Sequence, residues 1–108
     1  MQIIIKKQKD FDTVFSKGKR VYSKTLTLLY IKGETFKFGI SLSKKHGKAT
    51  VRNRIKRLIR ASVREIIKEN AINDYSVIIL PRVSNEYDFE SFKNDILYTM
   101  KKGNIINA

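Results

Sequence analysis

The run Lys44-Lys45-His46-Gly47-Lys48-Ala49-Thr50-Val51-Arg52-Asn53-Arg54-Ile55-Lys56-Arg57-Leu58-Ile59-Arg60-Ala61-Ser62-Val63-Arg64 constrains this chain more than any other stretch. It contains nine Lys or Arg and no Asp or Glu. From Val51 the apolar residues fall at Val51, Ile55, Leu58, Ile59, Val63, Ile66 and Ile67. That spacing is one stripe of a 3.6-residue period, so the segment is an amphipathic helix with a buried face. Asn53, Arg57, Arg60 and Arg64 line up opposite the stripe, flanked by Arg52, Arg54 and Lys56. An ordinary solvated helix would mix signs, because i,i+4 pairs of opposite charge are favourable and like-charge pairs are not. This one also begins with cations, which the helix dipole disfavours there. The missing anions are therefore best supplied by a partner.

Charge elsewhere supports the same reading. The formal net charge is +13 over 108 residues. Residues 1–70 hold 19 Lys/Arg against 5 Asp/Glu, a balance of +14, while residues 71–108 hold 4 against 5, or −1. The excess is a feature of the first two thirds, and its natural partner is a polyanion. The absence of Cys excludes disulfides and thiolate metal sites, and fits a reducing compartment. No apolar run is long enough for a membrane span, and Met1–Ile5 is too short for a signal peptide. A cytoplasmic protein of one domain, 1–108, is expected.

Along the chain, Met1–Lys9 reads as an extended lead-in and Asp10–Lys17 as a two-turn helix stopped by Gly18. Phe11, Val14 and Phe15 share one side of that helix. Lys19–Ser23 is basic and suits a short edge strand. Leu26–Lys32 and Phe36–Ser43 are strands joined by a tight turn around Gly33-Glu34. The second alternates Phe36, Phe38, Ile40 and Leu42 against Lys37, Gly39, Ser41 and Ser43, leaving one sheet face with little bulk, where a backbone or a nucleotide can lie. The basic helix runs from Ala49 to Glu69. Tyr75–Leu80 is nearly all apolar, as expected of a strand buried on both faces. Asp88 caps a last helix with Phe89, Phe92, Ile96 and Met100 inside, and Gly103–Ala108 should fray. The order α-β-β-β-α-β-α, with a helix between two strands, predicts an α+β two-layer sandwich containing a βαβ crossover.

No chemistry carried by the protein itself is evident. A two-metal nuclease needs convergent carboxylates, and the first 70 residues offer only Asp10, Asp12, Glu34, Glu65 and Glu69 on different elements. His46 is the only imidazole and sits beside Lys44 and Lys45, as an RNA contact or a loop residue rather than a general base. Neither a Gly-rich phosphate loop nor a zinc knuckle is present. Phe11, Phe15 and Tyr30 suit either the core or the stacking of single-stranded bases beside a cationic rim.

The run from Ser43 to Arg60, with Arg52-Asn53-Arg54 at its centre, resembles the signature of the bacterial ribonuclease P protein subunit. Asp10-Phe11-x-x-Val14-Phe15-x-x-Gly18, Leu28-Leu29-Tyr30 and Phe38-Gly39-Ile40-Ser41 resemble further landmarks of that family, in order. The resemblance spans roughly residues 6 to 102. It implies a four-stranded sheet of the ribosomal-protein-domain type, with a left-handed crossover through the Arg-Asn-Arg helix, where pattern alone implies the common right-handed one. It also implies a monomeric subunit of an endoribonuclease that removes the 5′ leader of precursor tRNA. The catalytic RNA, using Mg²⁺ that it mainly binds itself, performs the hydrolysis, so no protein residue is catalytic and none is a metal ligand. Phe11, Phe15, Tyr30, Lys48 and Arg82 match leader-binding positions. Lys44, Lys45, Arg52, Asn53, Arg54, Lys56, Arg57, Arg60 and Arg64 match the face toward the catalytic RNA. Lys48 stands where many members have Asn, and His46 takes a usually apolar place. Ser43 occupies a position where some members carry a leader-contacting Lys. The competing expectation is a ribosomal-type structural RNA-binding protein.

Overall fold

The computed structural model describes Ile4, Ile5 and residues 7–106. The elements are α1 (Gln8–Lys17), β1 (Lys19–Tyr22), β2 (Leu26–Lys32), β3 (Lys37–Ile40), a single 3₁₀ turn Lys44–His46, α2 (Ala49–Glu69), β4 (Tyr75–Pro81) and α3 (Phe89–Lys102). Their order is the expected α-β-β-β-α-β-α, and α2 has its predicted bounds. The lead-in departs from expectation, since Gln8 and Lys9 already belong to α1.

The strands form one sheet in the order β1-β2-β4-β3. β1 and β2 pair antiparallel, as do β2 and β4, while β3 and β4 pair parallel. α2 is thus the crossover of a βαβ unit. The chain turns at Gly33-Glu34, but β2 and β3 do not pair, because β4 lies between them. Burial explains the insertion. Val77, Ile78 and Ile79 are all inaccessible, and consecutive strand residues face opposite sides, so β4 is satisfied only at the centre of a sheet covered on both faces.

The larger core lies on the face covered by α2 and α3. Ile55, Ile59, Val63 and Ile66 of α2 meet Phe92, Ile96 and Met100 of α3 over Leu26, Leu28, Phe38, Val77 and Ile79. Leu58 and Ile67 flank this core half-buried. Val51, expected in the stripe, is 39% exposed and lies against Gly47 instead. α3 is capped by Asp88, which accepts the Ser91 N–H at 2.7 Å, and Asp95 accepts the backbone N–H and hydroxyl of Thr25. The segment after α3 does not fray within the described residues. Ile105 and Ile106 are buried, and Ile106 bridges to Ile72. The Asn73 N–H donates to the Ile105 carbonyl at 2.7 Å. Two apolar side chains removed from water explain why this tail stays docked.

α1 covers the opposite face, adding a partial third layer to the sandwich. Its Val14 packs with Ile5, Leu29 and Ile78. The tip of the Phe11 ring reaches Gly39, where a β-carbon would sit 2.7 Å from Phe11 Cζ. The absence of a side chain at 39 therefore sets how closely α1 approaches the sheet. Gly39→Ala is expected to cost about 1–3 kcal/mol through overpacking. Combining it with Phe11→Ala should cost less than the sum of the two single changes, because each relieves the other's misfit. Denaturant unfolding of the four proteins measures this, and strict additivity would contradict the contact.

Candidate nucleic-acid interface

A short, tightly tied loop aims the start of α2. The Ser43 Oγ accepts the Lys45 N–H at 3.3 Å, and the Ser43 N–H donates to His46 Nδ1 at 3.1 Å. His46 Nε2 lies 2.7 Å from the Pro81 carbonyl. The ring thus ties the loop to the end of β4 through both of its nitrogens. His46 therefore has a structural role in this loop. Gly47 follows with φ 112°, in the left-handed region that favours glycine. The Arg52 Nη1 donates back to the Gly47 carbonyl at 3.3 Å.

From this start the cations of α2 spread over three directions. Asn53, Arg57 and Arg64 face solvent. Arg52, Lys56 and Arg60, one turn apart, are half-buried along the side toward β3. Arg54 lines a second groove together with Lys24, Arg82 and Tyr87. Lys44, Lys45 and Lys48 are exposed on the loop. The only acidic residues of α2 serve another purpose. Lys93 of α3 lies 3.5 Å from Glu65 and 3.1 Å from Glu69, and the hydrogen bond to Glu69 raises the pKa of its ammonium. Among the described residues these are the only ion pairs within 4.0 Å. The basic face therefore has no carboxylate partner there.

A cleft of about 290 Å³ opens where α1 and α2, on opposite faces of the sheet, both border the edge strand β3. Phe11, Phe15, Gln8, Ile40, Ser41, Leu42, Arg52 and Lys56 line it. Phe15 is 38% exposed and offers its ring to solvent, whereas Phe11 is half-buried against Gly39. An exposed ring beside two cations is an arrangement that stacks a base and neutralises its phosphate. Tyr30 does not join them. It lies on the α3 side of the sheet, 5.8 Å from the Tyr75 ring and against Gly103. Its neighbour Leu29 is the β2 residue facing α1. Arg82 is also outside this cleft, in the second groove, where its Nε donates to the Ser23 carbonyl at 3.3 Å. Lys48 lines neither groove. Ser41 of the cleft belongs to the low-bulk sheet face that alternation marks, whereas Gln8 and Leu42 of the cleft and Lys24 of the second groove carry no such sequence signal. Among the described residues no three His, Cys, Asp or Glu side chains gather as a metal site.

The family model described as Ribonuclease P matches residues 2–104. The chain belongs to the ribonuclease P protein family. It is 37% identical over 107 residues to the ribonuclease P protein component of Clostridium botulinum, covering 95% of this chain and 96% of that protein. The corresponding protein of Streptococcus agalactiae is 34% identical over 105 residues, covering 94% of each. Among solved structures, the Staphylococcus aureus RNase P protein superposes with a TM-score of 0.84 at 27% identity, over 99% of this chain and 100% of that one. Family membership makes this a protein component of the tRNA-processing ribonucleoprotein, with an RNA partner. The fold agrees with that of its solved relatives. No helix among the described residues is long and apolar enough to cross a membrane.

The two aromatic positions should separate in a stability assay. Tyr30→Ala, which empties a packed site, is expected to cost on the order of 3 kcal/mol. Phe15→Ala, at a partly exposed position, should cost about 1 kcal/mol or less. Equal losses in thermal unfolding would contradict the placement of Tyr30 in the core and Phe15 in the cleft.

Proposed function

We propose that this chain binds the catalytic RNA of ribonuclease P through the outward face of α2, and the single-stranded 5′ leader of precursor tRNA in the cleft lined by Phe11 and Phe15. The RNA carries out the Mg²⁺-dependent hydrolysis that frees the leader, and the protein supplies affinity and position. One observation carries the reading: Arg52 and Lys56 of α2, without carboxylate partners, line the same cleft as the exposed ring of Phe15. Arg guanidinium groups grip phosphates in a two-pronged way, and Asn53 in their midst can reach a base edge or a ribose 2′-hydroxyl. A ribosomal-type structural role would also use a basic face, but it gives no reason for the ring in the cleft. Bulk cytoplasm, where precursor tRNA and the catalytic RNA meet, is the compartment this reading requires.

The test reconstitutes the protein with a ribonuclease P catalytic RNA at low Mg²⁺. Added protein should stimulate release of the leader and tighten precursor tRNA more than mature tRNA. Phe15→Ala should weaken precursor binding by about 1–3 kcal/mol, the worth of one stacked base, and leave mature tRNA unchanged. No stimulation, or equal losses for precursor and mature tRNA, would sink the assignment.

A further inference from the structure

Tyr22 is 61% exposed, the highest value among the exposed large apolar side chains of the described residues. It closes the edge strand β1, where an unpaired strand usually presents charge alone. Register fixes which side of the sheet it occupies. Arg20 pairs with Leu29 and Tyr22 with Thr27. Leu29 and Thr27 pair in turn with Ile78 and Leu80. Ile78 lies beside Gly39. Cross-strand partners share a face. Arg20, Leu29, Ile78 and Gly39 therefore form one row, of which α1 covers Leu29, Ile78 and Gly39 through Val14 and Phe11.

The next row on that same face runs Tyr22, Thr27, Leu80. The Ser41 N–H donates to the Ile79 carbonyl at 3.0 Å, which continues the β3–β4 pairing and brings Ser41 beside Leu80. Thr27 and Leu80 remain partly accessible. Ser41 lines the aromatic cleft with Phe15 and Arg52. A shallow track thus leaves the cleft, crosses three strand spacings (about 14 Å), and ends at the Tyr22 ring. Its far end is as cationic as its start. Arg20 is exposed two residues before Tyr22 on the same face. The guanidinium of Arg82 is tied to the carbonyl of Ser23, the residue after Tyr22.

We infer that Tyr22 is a second base-stacking position for single-stranded RNA, reached by a strand that passes from the Phe15 cleft across Leu80 and Thr27. The inference rests on the reading that the leader occupies that cleft, and extends it to nucleotides farther from the tRNA body. A polynucleotide fits the track better than a protein segment does. The track is bounded by cations at both ends, no acidic residue lies on its row, and rings beside cations are what sequence-tolerant strand binding uses.

Precursor tRNAs whose leaders are lengthened one nucleotide at a time test it in the reconstituted ribonucleoprotein. With the parent protein, affinity should rise in two steps, one when the leader fills the cleft and a second when it reaches Tyr22. Tyr22→Ala should remove the second step, roughly a tenfold change, and keep the first, while Tyr22→Phe should keep both. Tyr22 is exposed enough that the melting temperature of the variants should match the parent. A missing second step, or one that survives Tyr22→Ala, overturns the inference. Phe15→Ala separates the two readings. If neither Phe15→Ala nor Tyr22→Ala alters either step, the leader does not use this face and the parent reading falls too. If Phe15→Ala removes the first step while Tyr22→Ala changes nothing, the extension alone fails.

Discussion

Repulsion among the cations of α2 is the constraint on which the rest of the molecule depends. Arg52, Arg54, Lys56, Arg57, Arg60, Arg64 and Lys68 stand on one helix, and Glu65 and Glu69 are engaged with Lys93 across the α2–α3 interface. Each like-charge neighbour at i,i+4 costs a few tenths of a kcal/mol, and nothing on the helix offsets the sum. What holds the helix is burial of Ile55, Ile59, Val63 and Ile66 between sheet and α3, each worth about 1.5–3 kcal/mol in area terms. The apolar stripe wins by magnitude. The cost is a face whose cations have no carboxylate partner among the described residues.

The sheet turns that helix into a site. Because β4 is central and β3 is an edge, the two helices on opposite faces meet around β3, and a cleft forms there without a dedicated loop. Gly39 lets Phe11 sit directly on the sheet, which lowers α1 and leaves Phe15 to form the cleft wall. His46 and Gly47 fix where α2 begins, so Arg52 and Lys56 reach the same cleft from the other side. Packing and recognition are thus joined at a few positions, while the outward row of Asn53, Arg57 and Arg64 takes no part in packing.

Much of this was legible in the residues. Strong periodicity sufficed for α2, for the both-sides-buried β4 and for the element order, because those patterns report burial directly. Pairing was less legible. A short turn at Gly33-Glu34 reads as a hairpin, and only the need to bury both faces of β4 places that strand between β2 and β3. Of the three aromatics that suit either core or cleft, Tyr30 is the one packed against the main core, and alternation gives the reason. Leu26, Leu28 and Tyr30 share a face, so once Leu26 and Leu28 are core on the α3 side, Leu29 must be the one toward α1. Arg82 follows a buried proline and turns to the second groove, which no local pattern reveals. The docked tail was missed because Ile105 and Ile106 are too few to show a period, and their partner Ile72 is distant in sequence.

The most direct measurement is thermal unfolding of the free protein in low-millimolar pyrophosphate or sulfate, against chloride at matched ionic strength. An anion that binds only the folded face stabilises by RT ln(1 + [L]/Kd), about 2.7 kcal/mol at a hundredfold excess over Kd. Screening alone cannot tell the salts apart, and the low concentration avoids the generic effect of sulfate. The melting temperature should rise in the polyvalent anions beyond chloride, and the difference should shrink in Arg57→Ala with Arg60→Ala. Superimposed melting curves in all three salts would mean that the cations of α2 are already accommodated within the fold, and would contradict a face left open for an anionic partner.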